Sequence, residues 1–147
     1  MPNNETSSGK FPVKTFPYIV FCISTIALFM SLYFSEIMKL VPCKLCWYQR
    51  INMYPILPMT VAGILMKDKK LACYVLPLSI AGLLLALYHN LLVWGIVPES
   101  AAPCTAAVAC SKQDFVLYGF ITIPLMSLAA FAIITILMLI YARSQRK

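Results

Sequence analysis

A chain of 147 residues that is 61% hydrophobic and 12% charged, with a mean hydropathy of +0.83, carries more apolar surface than one soluble core of that length can hide. Lipid can solvate that surface, so a membrane is the expected solvent. The formal charge of +7 invites nucleic acid or anionic lipid, but the placement of the basic residues favours a topological origin.

In chain order, residues 1–15 open with a polar stretch and are expected to form a disordered cytoplasmic N-terminus. A charge-free apolar run from Phe16 to Phe34 follows. Its basic preamble resembles that of a signal peptide, but the run is long and lacks a small-x-small cleavage site, which makes it an uncleaved anchor. The second run, Ile51 to Met66, rises only about 24 Å as a helix, short of the roughly 30 Å hydrocarbon core. It spans only if its helix starts near Pro42 or Cys43, which places Arg50 inside the helix, and a first-turn proline suits that start. Runs from Leu71 to about Val97 and from Phe115 to Tyr141 are long enough to cross with some tilt. Pro55, Pro58, Pro77 and Pro124 fall within these runs, where kinks are expected. The expected fold is an all-α four-transmembrane-helix bundle with spans at about 16–35, 43–66, 71–95 and 115–141, two short extracytoplasmic loops and a basic tail at 143–147.

Orientation follows from lysine and arginine. Lys10, Lys14, Lys67, Lys69, Lys70, Arg143, Arg146 and Lys147 lie at one end of this arrangement, which the positive-inside rule makes cytoplasmic. Lys39, Lys44, Arg50 and Lys112 belong to the other. Both termini are then inside, with outer loops at roughly Ser35 to Cys43 and Gly95 to Asp114.

That topology sorts the six cysteines without having used them. Cys22 and Cys73 fall within spans, where a cysteine is a small hydrophobe that packs well. Cys43, Cys46, Cys104 and Cys110 face the outer side, an oxidising compartment where disulfides form and persist. At a helix start, unpaired amides and the positive dipole end favour thiolate over thiol, the species that attacks and leaves in disulfide exchange. Cys43, Cys46 and Arg50 follow i, i+3 and i+4 steps and share one helical face. A guanidinium there can stabilise a thiolate or polarise a docked carbonyl oxygen, although a snorkelling interfacial arginine is the plainer alternative. Cys104-x5-Cys110 closes a small ring, either a labile redox disulfide or a loop staple.

With SLYFSE (Ser31 to Glu36), PCKLCWYQR (Pro42 to Arg50), His89 in LYHNLL, the Cys104/Cys110 loop and GFITIP (Gly119 to Pro124) in view, the chain resembles the DsbB family of membrane thiol–disulfide oxidoreductases. It is most like that family's short Gram-positive form, BdbC. The resemblance covers nearly the whole chain after the first fifteen residues. It implies an enzyme of the bacterial cell membrane that reoxidises a secreted thioredoxin-fold thiol oxidase and passes two electrons to a membrane quinone, menaquinone rather than ubiquinone. Carried over by position, Cys104 receives the partner's attack and Cys110 resolves the mixed disulfide. Electrons then reach Cys43–Cys46, with Cys46 the thiolate at the quinone, Arg50 holding its ring, and His89 a further quinone-site residue or a packing histidine. Trp47 and Tyr48 are expected as interfacial belt residues. Compared with the larger Gram-negative members, the second outer loop is shorter and Gln49 replaces an acidic residue.

Other classes make different demands. Four thiolates from Cys43, Cys46, Cys104 and Cys110 could form a structural zinc site, though zinc gives Arg50 no role. A small membrane scaffold would use two loop disulfides indifferent to quinone. A vitamin K epoxide reductase-like enzyme would carry its Cys-x-x-Cys after the other pair, the reverse of the order here.

Overall fold

The computed structural model describes residues 12–39, 42–98, 100, 116–117 and 121–146. Four α-helices dominate: α1 (Phe16–Leu32), α2 (Lys44–Met66), α3 (Leu71–Val93) and α4 (Ile123–Gln145). A 3-10 turn at Val13–Thr15 leads into α1, where Pro17 sits in the first turn and costs no hydrogen bond. At its far end α1 widens into a π-helical turn, Tyr33–Ile37. The helices pack in a ring: α1 lies against α2 and α4, and α3 lies against the same two from the other side.

Three of the helical segments, Phe16–Ile37, Leu71–Val93 and Ile123–Gln145, are long and apolar enough to cross a membrane. Large apolar side chains such as Ile26, Phe29, Leu65, Leu84 and Ile136 lie on the outside of the bundle, the arrangement lipid rather than water rewards. α2 has the same length as α3 but carries Lys44, Gln49, Arg50 and Asn52 in its first half.

Inside the ring, Val20, Ile56, Val75, Ala86, Phe131, Ile134 and Met138 form the core. Gly82 permits the α3–α4 approach: a Cβ added there would run into the edge of the Phe131 ring, which would have to shift. Thr60 and Thr135 bury their hydroxyls by donating to Ile56 O and Phe131 O one turn back, which satisfies them without a partner helix.

The α2–α3 connection is tight. Lys67 takes a left-handed conformation (φ 51), its amide donates to Ile64 O, and the Asp68 amide donates to Gly63 O, a Schellman ending. Asp68 Oδ1 then accepts the Lys70 amide at 2.8 Å. Tyr141 Oη donates to Asp68 O at 3.5 Å, so this lysine-rich turn and the C-terminal part of α4 share one end of the bundle.

Two boundaries differ from the sequence expectation. α3 ends at Val93 because the chain turns at Trp94 and Gly95, the latter at φ 73. α4 begins at Ile123 rather than Phe115, since Val116–Leu117 and Ile121–Thr122 pair as a two-residue antiparallel ladder (β1, β2). Pro124 therefore occupies the first turn of α4, where a missing amide hydrogen is harmless, and is not interior to a span. The expected outer-loop cysteines Cys104 and Cys110, and residues 1–11 of the N-terminal segment 1–15 expected to be disordered, lie outside the described residues, while Val13–Thr15 of that segment form the 3-10 turn.

Candidate active site

Pro42 leads into the start of α2, and Cys43 adopts extended backbone (φ −67, ψ 165) as its N-cap. Its Sγ accepts the Cys46 amide at 3.4 Å, the bond a Ser or Asp oxygen more often makes at this place. Helix-terminal amides interact best with a negative acceptor, so the backbone itself favours charge on this sulfur. One turn on, Cys46 brings its sulfur to 3.0 Å from that of Cys43, and the two share a hydrogen bond. A short further approach reaches the ~2.05 Å of an S–S bond. Both cysteines are buried, enclosed by Leu45 and Leu92 with Tyr88 and Val97 packed against them.

α3 contributes His89, fully buried, with Nε2 3.8 Å from Cys43 Sγ. Its other nitrogen, Nδ1, lies 3.5 Å from Gln49 Nε2, one helical turn below Cys46 on α2. Gln49 Oε1 lies 3.3 Å from Ser127 Oγ of α4, and that hydroxyl donates to Pro124 O at 2.8 Å. Asn90 donates to the same carbonyl at 3.0 Å and to Ala86 O at 2.7 Å, while its buried Oδ1 has no hydrogen-bond partner among the described residues. A line of polar groups thus crosses three helices from sulfur to the first turn of α4.

Arg50 is held from α1. Its Nη2 donates to Ser31 O at 3.0 Å and to Ser35 Oγ of the π-helical turn, and its guanidinium stands 5.8 Å from the centroid of the Trp47 ring. π-Helical turns are frequent at functional sites, and this one carries the hydroxyl that grips the arginine. Trp47 and Tyr48 are about half exposed, on the outside of the bundle.

The structure therefore brings Cys43, Cys46 and His89 together, with their donor atoms within 4.8 Å of one another. Such a spacing serves a thiol–imidazole group and a soft cation alike; the zinc alternative further requires Cys104 and Cys110, which lie outside the described residues. Cys22 and Cys73 are exposed on the outer surfaces of α1 and α3, not packed in the core as a small-hydrophobe role suggested. Sequence reasoning singled out neither Ser127 nor Asn90, and treated Gln49 only as a departure from a pattern. Both PCKLCWYQR and LYHNLL were in view, but no local pattern says that Gln49 and His89 face each other.

The chain matches the family model for "Disulfide bond formation protein DsbB" over residues 13–141. It is 42% identical over 123 residues to "Disulfide bond formation protein C" of Bacillus subtilis (strain 168), covering 84% of this chain and 89% of that protein. It is 39% identical over 129 residues to "Probable disulfide formation protein C 2" of Bacillus cereus (strain ATCC 10987 / NRS 248), covering 88% and 91%. A relative from a different genus, "Probable disulfide formation protein" of Metapseudomonas resinovorans, is 34% identical over 142 residues and covers 96% of each chain. No solved structure matches. With apolar helices built to cross a membrane and a cysteine pair at one end of the bundle, the chain belongs to the DsbB family of disulfide bond formation proteins and is a multi-pass membrane disulfide oxidoreductase.

Proposed function

We propose that this protein reoxidises an extracytoplasmic thioredoxin-fold thiol oxidase and delivers the electrons to a membrane quinone, menaquinone in preference to ubiquinone. The observation that carries this reading is the buried Cys43–Cys46 contact of 3.0 Å at the cap of α2. In this proposal all four long helices span the membrane, both termini are cytoplasmic, and the cysteines lie on the outer side. The reduced partner's thiolate attacks Cys104 and releases Cys110 as a thiolate; the partner's second thiol then resolves the mixed disulfide, so the partner leaves oxidised and Cys104 and Cys110 are left reduced. Exchange then reduces Cys43–Cys46, the attacked sulfur being Cys43 and the released thiolate Cys46.

The residues around Cys46 fit a quinone. Arg50 uses Nη2 for both of its described hydrogen bonds, and its remaining N–H donors suit a carbonyl oxygen. Trp47 and Tyr48, exposed beside it, provide the apolar ring faces a lipid-soluble planar molecule needs. When bound, a quinone supplies a two-electron, two-proton acceptor. Arg50 orients its oxygen, and Leu45 and Leu92 keep water from the sulfurs. Since thiol exchange is also a two-electron process, no metal is needed to match the steps.

An anaerobic assay of the purified protein with added quinone and a reduced thioredoxin-fold oxidase tests this reading. Stoichiometric oxidation of the partner, coupled to quinol formation, is the expected result. Disulfides that persist unchanged whether or not quinone is present would identify a structural scaffold instead.

A further inference from the structure

Each nitrogen of His89, the chain's one histidine, faces a different group. Nε2 faces the Cys43 sulfur and Nδ1 faces the Gln49 amide, in a site where the ring is fully buried. We propose that Cys43, His89 and Gln49 form a proton relay in which Gln49, braced by Ser127, holds the ring so that Nε2 exchanges a proton with Cys43 Sγ. The inference rests on disulfide exchange at Cys43–Cys46, part of the function proposed above, and not on the quinone.

The hydrogen-bond count supports the relay. A neutral imidazole has one donor nitrogen and one acceptor nitrogen, and an amide presents a carbonyl on one side and an NH2 on the other. Ser127 has a single hydroxyl proton, and the shorter of its two contacts, 2.8 Å, takes that proton to Pro124 O. Its oxygen is then free to accept from Gln49, 3.3 Å away, once the amide turns its NH2 toward Ser127. That orientation puts the amide oxygen against His89 Nδ1, which must carry the ring hydrogen. Nε2 then offers its lone pair to Cys43 S–H. With the amide turned in this way, and with Cys46 supplying the proton between the two sulfurs so that the Cys43 proton is left for His89, the donors run one way: sulfur to histidine, histidine to glutamine, glutamine to serine, serine to the Pro124 carbonyl.

In the transfer step the S–H bond of Cys43 breaks and its electron pair remains on sulfur. The proton bonds to Nε2, so the products are a thiolate and an imidazolium, with no net oxidation. Both imidazolium N–H groups are then satisfied, one by the thiolate and one by the Gln49 oxygen. In the reverse step His89 returns the proton to Cys43 when that sulfur is displaced as a leaving group. With the amide turned by half a rotation, Gln49 donates to Nδ1 and the opposite tautomer presents N–H to sulfur. The neutral amide serves both ring forms and adds no charge to a buried site. His89 is the catalytic group, and Gln49 is its positioning residue.

The single histidine makes the test direct. Full-length protein labelled with ¹⁵N in the His89 ring is examined by NMR at one fixed pH, in disulfide and dithiol forms, and reduction of Cys43–Cys46 by dithiothreitol is timed without quinone. The two ring-nitrogen shifts of the native protein should report one tautomer in the disulfide form and change on reduction. Gln49→Leu should average the shifts of the two nitrogens and slow exchange about ten-fold, the lower end for loss of an orienting partner. Gln49→Glu, which keeps an oxygen acceptor, should restore a single Nδ1–H form. Ser127→Ala, a milder change, should broaden the signals. His89→Ala should slow exchange on the order of 100-fold. Unchanged ring shifts in Gln49→Leu overturn the relay, even if exchange slows, because slowing alone would reflect packing. Ring shifts in the native protein that ignore reduction overturn it as well. Failure of quinone reduction with these responses intact would sink the proposed acceptor and leave the relay standing.

Discussion

Two pairs of cysteines in this chain meet opposite environments. Cys22 on α1 and Cys73 on α3 are exposed on the outer surfaces of two different helices. Cys43 and Cys46 are sequestered at the head of α2, in contact with one another, with a backbone amide and with a histidine from the next helix. Thiol chemistry depends on what stabilises the thiolate and on where the leaving sulfur goes. Among the described contacts only the second pair has both, so in the proposed function exposure and reactivity run in opposite directions.

The strongest way to break this comparison is at the sulfurs. Cys43→Ser and Cys46→Ser should each abolish oxidation of a reduced thioredoxin-fold partner, a loss on the order of 1,000-fold or more if the sulfur is the nucleophile. Full turnover in both variants would remove the pair from the reaction. Arg50→Ala should come next: quinone KM should rise roughly ten-fold, the worth of one charge-assisted hydrogen bond of about 1.5 kcal/mol, while dithiothreitol still reduces the disulfide normally. An unchanged quinone KM would confine Arg50 to bracing α1. Gly82→Ala should act on the fold and not on the chemistry, because its methyl group meets Phe131. A cost of about 1–3 kcal/mol from overpacking should appear as earlier thermal unfolding in detergent. Smallest of all, Cys22→Ser and Cys73→Ser should leave turnover within about two-fold and stability within about 0.5 kcal/mol, as for surface positions generally. A large loss from either would mean that the exposed pair also carries electrons.

How far the sequence revealed these features depended on whether the cause was local. The apolar runs of α1, α3 and α4 were legible, because composition alone sets a lipid-crossing length. The start of α2 was legible by subtraction: sixteen apolar residues were too few, so the helix had to begin near Pro42 or Cys43, and Cys43 is its cap. The start of α4 was not, because FVLYGFITIP is as apolar as a span while part of it pairs as strands. Gly119 and Pro124 were the available signals, since Pro is favoured in a first helical turn. At the site, the two sulfurs and their position on a helix N-terminus followed from spacing. The grip of Ser31 and Ser35 on Arg50, and of Gln49 and Ser127 around His89, depends on which helices adjoin. Hydrophobic periodicity cannot report adjacency when helices are apolar nearly all round.

The 23 residues of α2 rise roughly 34 Å, a few ångströms more than the ~30 Å hydrocarbon layer. With α2 across the bilayer as proposed, the cap at Cys43 stands just beyond the oil while the side chains one and two turns below it remain within. In the proposed function a protein thiol arrives there by diffusion through water in three dimensions, and a lipid-borne oxidant arrives by diffusion in two. Neither reactant dissolves in the other's solvent. The first turns of α2 then do the work of a phase-transfer catalyst, fixed at the boundary by nothing more than the length of a helix.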